Sequence, residues 1–269
     1  MRPPTAAAMV HPFLDLTDGV YRTPDAAASR WGRLAPSLVF YPKFTRIVWR
    51  ASSLAKRGGY DGYQWSLSSL AVLRALESVG VRFTIAGLEH LGGLDGPCVI
   101  AGNHMSTLET GVLPSIIQPI RDVTFVVKQS LIHYPVFKHV MRAVHPIPIS
   151  QSNPREDLKS MLVEGSERLA RGMSLVVFPE ASRRPVFNPA EFNSIAVKLA
   201  ARNDVPLVPL ALRTDAWPIG AWISDVGRID PARPVHFEFG PPMRIAGRGA
   251  AEHQAVIDFI QARLTAWGL

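Results

Sequence analysis

Seven short apolar runs govern what this chain can fold into. They span 82–86, 98–101, 124–128, 146–150, 174–178, 206–212 and 236–239. Runs this short and this apolar read as buried strands. Between and after them lie segments of helical period, at 107–117, 135–143, 154–171, 194–202 and 251–267. The segment from Pro154 is the best marked. Asn153 suits the N-cap, Pro154 the first turn, Glu156 and Asp157 the N-terminal dipole, and Gly172 the stop. Strands alternating with helices predict an α/β fold with a mixed, largely parallel central sheet flanked by helices. There is no internal repeat and no linker. The reading is an N-terminal leader with amphipathic helices over 1–80 and one catalytic domain over 81–269.

Composition narrows the class. The chain has 269 residues, 47% of them hydrophobic and 19% charged, so it can bury a large core and is not a disordered sequence. Its one cysteine, Cys98, opens an apolar run and reads as a buried core residue; no intrachain disulfide can form. No apolar stretch is long enough to span a bilayer, and residues 1–10 lack the apolar run of a secretory signal. A cytoplasmic protein is expected.

The net charge of +7 is concentrated near the N-terminus: Arg30 to Arg57 hold seven basic residues and no acid. Over 42–57, Phe44, Ile47, Val48, Ala51, Leu54 and Ala55 recur at helical spacing, with Lys43, Arg46, Arg50 and Arg57 on another face and Trp49 at the boundary. A basic amphipathic helix of this kind either lies in a lipid headgroup layer or packs its stripe on the core. A second helix is expected over 66–79. No zinc-finger spacing, RRM-type sequence or helix-turn-helix signal accompanies the charge, so no nucleic-acid partner is expected.

Two strand ends carry polar residues suited to chemistry. The run Val99-Ile100-Ala101 leads into Gly102-Asn103-His104-Met105-Ser106-Thr107-Leu108-Glu109, placing His104 where open α/β sheets bind ligands. A carboxylate that accepts from one ring nitrogen leaves the other to take a proton from a hydroxyl. The spacing alone is weak evidence, because His90 with Asp95 and His253 with Asp258 repeat it. The first of those falls in a glycine-rich turn, and the second on a helix where residues five apart share a face poorly. The run Leu175-Val176-Val177-Phe178 leads into Pro179-Glu180-Ala181-Ser182-Arg183-Arg184. A guanidinium there can bind phosphate in a bidentate way, or simply form a surface ion pair.

These blocks resemble the glycerolipid acyltransferases, the family of 1-acylglycerol-3-phosphate acyltransferase. Asn103 to Glu109 is similar to that family's Asn-His-x-Ser-x-x-Asp block, and Phe178 to Arg183 to its Phe-Pro-Glu-Gly-Thr-Arg block. Lys128-Gln129-Ser130-Leu131 with Tyr134-Pro135-Val136-Phe137 resembles its Lys-x-x-Leu, Pro-x-Phe segment, and Val205 to Leu210 its Val-Pro-hydrophobic-hydrophobic-Pro block. The four blocks follow the family's order over 88–212. The resemblance implies direct acyl transfer from acyl-CoA or acyl carrier protein to the hydroxyl of a lysophospholipid. His104 would be the general base and Glu109 would hold its tautomer. Glu180, Arg183, Lys128 and Ser182 would bind the acceptor's phosphate, and Val205 to Leu210 would be a buried strand on the acyl side. It implies no metal and no cofactor beyond the acyl donor. It also favours the membrane role for Phe44, Arg46, Ile47, Val48, Trp49, Arg50 and Leu54, peripherally on the cytoplasmic face of an anionic membrane.

The sequence departs from the family pattern at five positions. Glu109 stands for the usual Asp, Lys138 for a Gly, and Ala181 and Ser182 for Gly and Thr; the Arg expected near Ser150 and Gln151 is absent, with Arg155 the nearest substitute. These leave open a different hydroxylated lipid as acceptor, such as a lyso-ornithine lipid or a glycolipid. A thioesterase using the same pair, or a non-catalytic membrane-binding module, are the other readings.

Overall fold

A computed structural model describes residues 10–134, 137–150, 152–180 and 182–269. Pro135 and Val136 of the expected Pro-x-Phe segment, Gln151, Ala181 and the leader residues 1–9 lie outside the described residues.

In chain order the elements are β1 (Leu16–Thr17), β2 (Val20–Arg22), α1 (Arg30–Leu34), α2 (Pro36–Lys56), α3 (Gly62–Glu77), β3 (Phe83–Ala86), α4 (Glu89–Gly92), β4 (Val99–Gly102), α5 (Thr107–Ile117), β5 (Val123–Lys128), α6 (Gln129–His133), α7 (Lys138–Ala143), β6 (Ile147–Ile149), α8 (Pro154–Ala170), β7 (Ser174–Val177), α9 (Ile195–Arg202), β8 (Leu207–Arg213), β9 (Val235–Phe239) and α10 (Ala250–Ala266). The strands form one sheet in the order β1-β2-β3-β9-β8-β4-β7-β5-β6. Strands β8, β4, β7, β5 and β6 all run parallel, β9 joins β8 antiparallel, and a hairpin of β1 and β2 adds an antiparallel edge on β3. The architecture is therefore the mixed, largely parallel α/β sheet flanked by helices that the alternation predicts. All seven expected strands are present, each within a residue or two of its expected ends.

The sheet is covered on both faces, as parallel strands require. One core cluster joins Ile100, Val176, Val208 and Leu210 to Phe40 of α2, Leu73 of α3 and Val112 and Leu113 of α5. The other joins Val99, Leu175, Val177 and Leu207 to Leu199 of α9 and Ile260 of α10. Successive residues of β4 and β7 alternate between the two clusters, following the two-residue period of a strand. Both faces being apolar, these strands read as continuous hydrophobic runs.

The N-terminal third differs from its sequence reading in two ways. The leader over 1–30, whose prolines and alanine run read as loop-rich, contains the β1–β2 hairpin, which extends the sheet. A buried network holds it: Tyr21 Oη and Thr23 Oγ1 donate to Glu77 Oε1 at 2.6 and 2.7 Å, and Arg74 donates to Glu77 Oε2 at 2.8 Å. Sheet and core thus both cross residue 80, where the sequence suggested a division. Helix α2 also begins at Pro36 and not at Pro42, so Leu38 to Tyr41 lie inside it. A proline reads from sequence as a helix start, but Pro42 sits on an exposed stretch of a helix that packing holds together around it. Its stripe is Phe40, Phe44, Ile47, Ala51 and Leu54, at alternating steps of four and three, packed on the core; Phe40 and Phe44 meet the buried Trp217 edge-on.

That packing corrects the docking residues. Phe44, Ile47 and Leu54 face the core, Val48 is half-buried, and only Arg46, Trp49 and Arg50 are exposed. The apolar residues that α1 and the start of α2 present outward are Trp31, Leu34 and Leu38, each more than three-quarters exposed. Among the described residues no helix is long and apolar enough to cross a membrane.

Candidate active site

His104 is placed by three consecutive devices. Strand β4 ends at Gly102. The Asn103 side chain then continues the ladder to β8, donating to the Leu212 carbonyl at 2.8 Å and accepting the Leu212 N–H at 2.9 Å. The chain leaves the sheet at His104 and enters α5 two residues later through a capping box. Ser106 Oγ accepts from Leu108 N–H, while the Glu109 carboxylate reaches back to the Ser106 N–H at 2.7 Å. The residue that caps the helix is thus the carboxylate that holds the histidine.

Glu109 is completely buried and surrounded by donors. Oε1 accepts from His104 Nδ1 at 2.9 Å and from the Met105 and Ser106 N–H groups at 2.7 Å each. Oε2 accepts from Ser106 Oγ at 2.9 Å and Thr214 Oγ1 at 2.6 Å. Burial pushes this carboxyl up, but the hydrogen bond and charge of His104, with the bonds from Thr214 and Ser106, outweigh it and hold it below the usual carboxylate range. It is therefore an anion at neutral pH. A carboxylate on Nδ1 fixes a proton there and stabilises an imidazolium, leaving Nε2 as the basic nitrogen. Nε2 has no partner among the described residues, and the side chain is 19% exposed.

The other face of the site comes from the end of β7, the strand beside β4. The Phe178 ring lies flat on the imidazole, with centroids 4.4 Å apart and planes 8° from parallel. Both backbone polar groups of His104 bond this segment: its N–H donates to Glu180 Oε2 at 2.8 Å, and its carbonyl accepts the Arg184 N–H at 2.8 Å. Burial raises the Glu180 carboxyl, partly offset by the His104 and Asn188 N–H groups. Sequence reasoning put Glu180 on a phosphate. Its carboxylate turns inward to the His104 backbone, where Oε2 accepts an N–H that an outward rotamer would strand. Glu180 therefore positions the histidine turn.

Of the other expected anion ligands, Arg183 is bonded to the start of α5. Its Nη1 bonds Thr107 Oγ1, on the first residue of α5, and lies 2.6 Å from Asp225 Oδ1. Arg184 pairs instead with Glu191. Ser182 is exposed, and Lys128 is exposed at the carboxyl end of β5. Residues 207–210 form part of buried β8, parallel to β4. Lys138, in place of the family's Gly, is a half-buried first residue of α7. Among the described residues no group of His, Cys, Asp and Glu side chains could hold a metal ion. Cys98 is buried beside Ser174, and burial raises its thiol pKa, consistent with a core residue.

The sequence reading gave no role to Ser106, Thr214 or Asp225. Ser106 had a signal, the Ser-x-x-Glu box before an apolar run. Thr214 and Asp225 had none, since they arrive from 105 and 118 positions away.

Comparison with known proteins agrees. A family model described as Acyltransferase matches residues 82–213. A 1-acyl-sn-glycerol-3-phosphate acyltransferase of Pseudomonas aeruginosa is 29% identical over 247 residues, covering 90% of this chain and 84% of that protein. A chloroplastic 1-acyl-sn-glycerol-3-phosphate acyltransferase of Brassica napus is 32% identical over 128 residues, 48% of this chain and 36% of its own length. In fold, the chain matches the crystal structure of the 1-acyl-sn-glycerophosphate (LPA) acyltransferase PlsC of Thermotoga maritima, with TM-score 0.62 and 17% identity over 87% of this chain and 95% of that one. The family match runs through both motif blocks and the Pseudomonas match through nearly the whole length, so this chain is an acyltransferase, similar along its length to 1-acyl-sn-glycerol-3-phosphate acyltransferases.

Proposed function

We propose that this enzyme moves a fatty acyl group from acyl-CoA or acyl carrier protein to the free hydroxyl of a 1-acylglycerol-3-phosphate-type lysophospholipid, with His104 as general base. The observation that carries the reading is the pairing of two groups at one strand end. An imidazole oriented by an anionic carboxylate stands next to α5, whose first residue bonds a guanidinium. The first activates a hydroxyl, and the second recognises a phosphate on the same molecule.

In this reaction the acceptor hydroxyl gives its proton to Nε2 as its oxygen attacks the thioester carbonyl. The tetrahedral adduct then expels the thiolate, which takes the proton back from the imidazolium. Glu109 stabilises the imidazolium throughout, and Phe178 and Glu180 keep the ring and its turn in place. Arg183, with Lys128 and Ser182, holds the phosphate. No covalent acyl-enzyme and no metal or other cofactor enter the scheme, in accord with the absence of a Gly-x-Ser-x-Gly elbow.

A lysolipid acceptor and product live in a bilayer, so the enzyme works docked on one, peripherally on its anionic cytoplasmic face. Exposed Trp31, Leu34, Leu38 and Trp49 with Arg30, Arg33, Lys43, Arg46 and Arg50 supply the apolar and basic groups for that contact.

The test is thiol release from an acyl thioester, with and without lysophosphatidic acid, for wild type and His104→Ala. Release that requires the lysolipid and is lost in the variant supports the base and the acceptor together. Release without acceptor would move the assignment to a thioesterase, and release only with another hydroxylated lipid would replace the acceptor.

A further inference from the structure

Asp225 sits where three anion-attracting groups of the site meet. Its Oδ1 lies 2.6 Å from Arg183 Nη1 and 3.0 Å from Thr107 Oγ1, at the N-terminus of the eleven-residue helix α5. A guanidinium, a hydroxyl and a helix N-terminus converging on one oxygen form the constellation that binds phosphate. Here a carboxylate of the protein itself fills it.

Asp225 belongs to a loop with a narrow neck and an apolar tip. Trp217 and Gly227 anchor its two ends in the interior. At Gly227 an added Cβ would lie 1.8 Å from the Pro218 carbonyl oxygen, so the ends press together. Tyr41 Oη donates to the Gly227 carbonyl, and the Ile229 N–H donates to Ser37 Oγ at 3.0 Å, tying the base to α2. Residues 221–226 are all exposed, Trp222 almost completely, with Ile219, Ile223 and Val226 beside it on the loop. Among the described residues, the loop's hydrogen bonds to the site, apart from its own turn bonds, run through the Asp225 carboxylate. An exposed tip this apolar is unfavourable in water. It is joined at its base to the helix that carries exposed Leu38 and the basic residues Lys43, Arg46 and Arg50, whose charge suits an anionic lipid surface.

We propose that the loop from Pro218 to Val226 is a lipid-responsive latch over the acceptor's anion site: in water Asp225 holds Arg183, and at a bilayer surface Trp222 and Ile223 enter the lipid, draw Asp225 away and free Arg183 for phosphate. The inference rests on the reading of Arg183 as the anion-binding group. It explains why a site built for an anionic headgroup tolerates a carboxylate within it. A phosphate carries more charge and more acceptor oxygens than the carboxylate it displaces, and the exposed ion pair is weak enough to be exchanged. The latch makes acceptor affinity rise where acceptors are found.

Binding tests this without turnover. Glycerol 3-phosphate is titrated into the full-length protein by calorimetry, with and without vesicles of phosphatidylcholine and phosphatidylglycerol. Asp225→Asn should tighten binding about threefold in solution. Vesicles should tighten wild type towards the Asp225→Asn value and leave Asp225→Asn itself unchanged. The double variant Trp222→Ser, Ile223→Ser should fold with unchanged Tm and lose the vesicle effect. Equal or weaker binding in Asp225→Asn, no vesicle effect on wild type, or no saturable binding in any form would each overturn the latch. Because the probe is a headgroup and the readout is affinity, a wrong choice of lysolipid as substrate would show in thiol release and leave this result standing.

Discussion

Thr214 donates a 2.6 Å hydrogen bond to Glu109 across 105 positions of sequence, and both residues are fully buried. Strand β8 ends at Arg213, so Thr214 is the first residue beyond it, just as His104 lies just beyond the neighbouring β4. The carboxylate that orients the histidine is thereby clamped between two strand ends. Thr214→Val removes the donor and keeps the shape. One Glu109 lone pair is then left unsatisfied, at about 1–3 kcal/mol, and Oε2 is held by Ser106 Oγ alone. Turnover should fall about tenfold with little change in KM, and the acid limb of the pH–rate profile should shift. Thr214→Ser should restore both, which a loss of packing alone would not permit.

Glu109 also joins helix capping to catalysis, which sets its length requirement. Its Oε1 serves both His104 and the Ser106 N–H. Aspartate, one methylene shorter, sets the carboxylate back from both partners unless the turn moves with it. Glu109→Asp should therefore lose about 10- to 100-fold in kcat/KM while folding near-normally, read by steady-state kinetics and a thermal melt. Glu109→Gln keeps the length but sets an amide NH2 against donors. It should lower stability by about 2–4 kcal/mol in addition to activity.

Two buried carboxylates in one site shift in opposite directions, and that fixes the sign of the pH dependence. Glu109 is held below its usual value, so its stabilisation is present above the unfolded-state pKa of about 4.3 and is lost as pH falls through the folded value. Glu180 is raised, so its contribution is present below about pH 4.3 and is lost as pH rises through its folded value. Melting temperatures followed from pH 3 to 8 should show Glu180→Gln removing the decline above pH 4.3, and Glu109→Gln removing part of the acid-side loss.

Legibility from sequence followed the distance over which each feature is encoded. The strands read clearly because burial on both faces makes them uninterrupted apolar runs, as in Val99-Ile100-Ala101 and Leu175-Val176-Val177. His104 and Glu109 read clearly because one turn holds both. Glu180 was located but its bond to the His104 N–H was not foreseen, since nothing in Pro179-Glu180 says that the carboxylate points back at β4. The hairpin over 16–22 was missed because its strands are two and three residues long and depend on the distant Glu77 for their hold. Thr214 and Asp225 depend on strand order and loop path, which periodicity does not carry. In α2 the pattern was read correctly and its face was not. One helical stripe can serve a core or a bilayer, and only the position of Trp217 and the sheet decides which.

That ambiguity in α2 yields a prediction in which the two faces separate. Phe44 and Ile47 face the core, whereas Arg46, Trp49 and Arg50 face outward, as do Trp31, Leu34 and Leu38 on the neighbouring turns. If the outward set meets anionic lipid, Arg46→Glu with Arg50→Glu should weaken vesicle binding steeply. Each basic residue near such a surface contributes about 1 kcal/mol, and reversal also adds repulsion, so a loss on the order of 100-fold or more is expected, diminishing at high salt. Trp31→Ser with Leu38→Ser should reduce binding at all salt concentrations, because it removes apolar area instead of charge. Phe44→Ser should behave differently from both, lowering the melting temperature by exposing the Trp217 contact. Flotation against phosphatidylglycerol vesicles, paired with thermal melts, separates the two classes. Flotation unchanged by the arginine reversals would remove the outward face from the docking surface and leave α2 a purely structural helix.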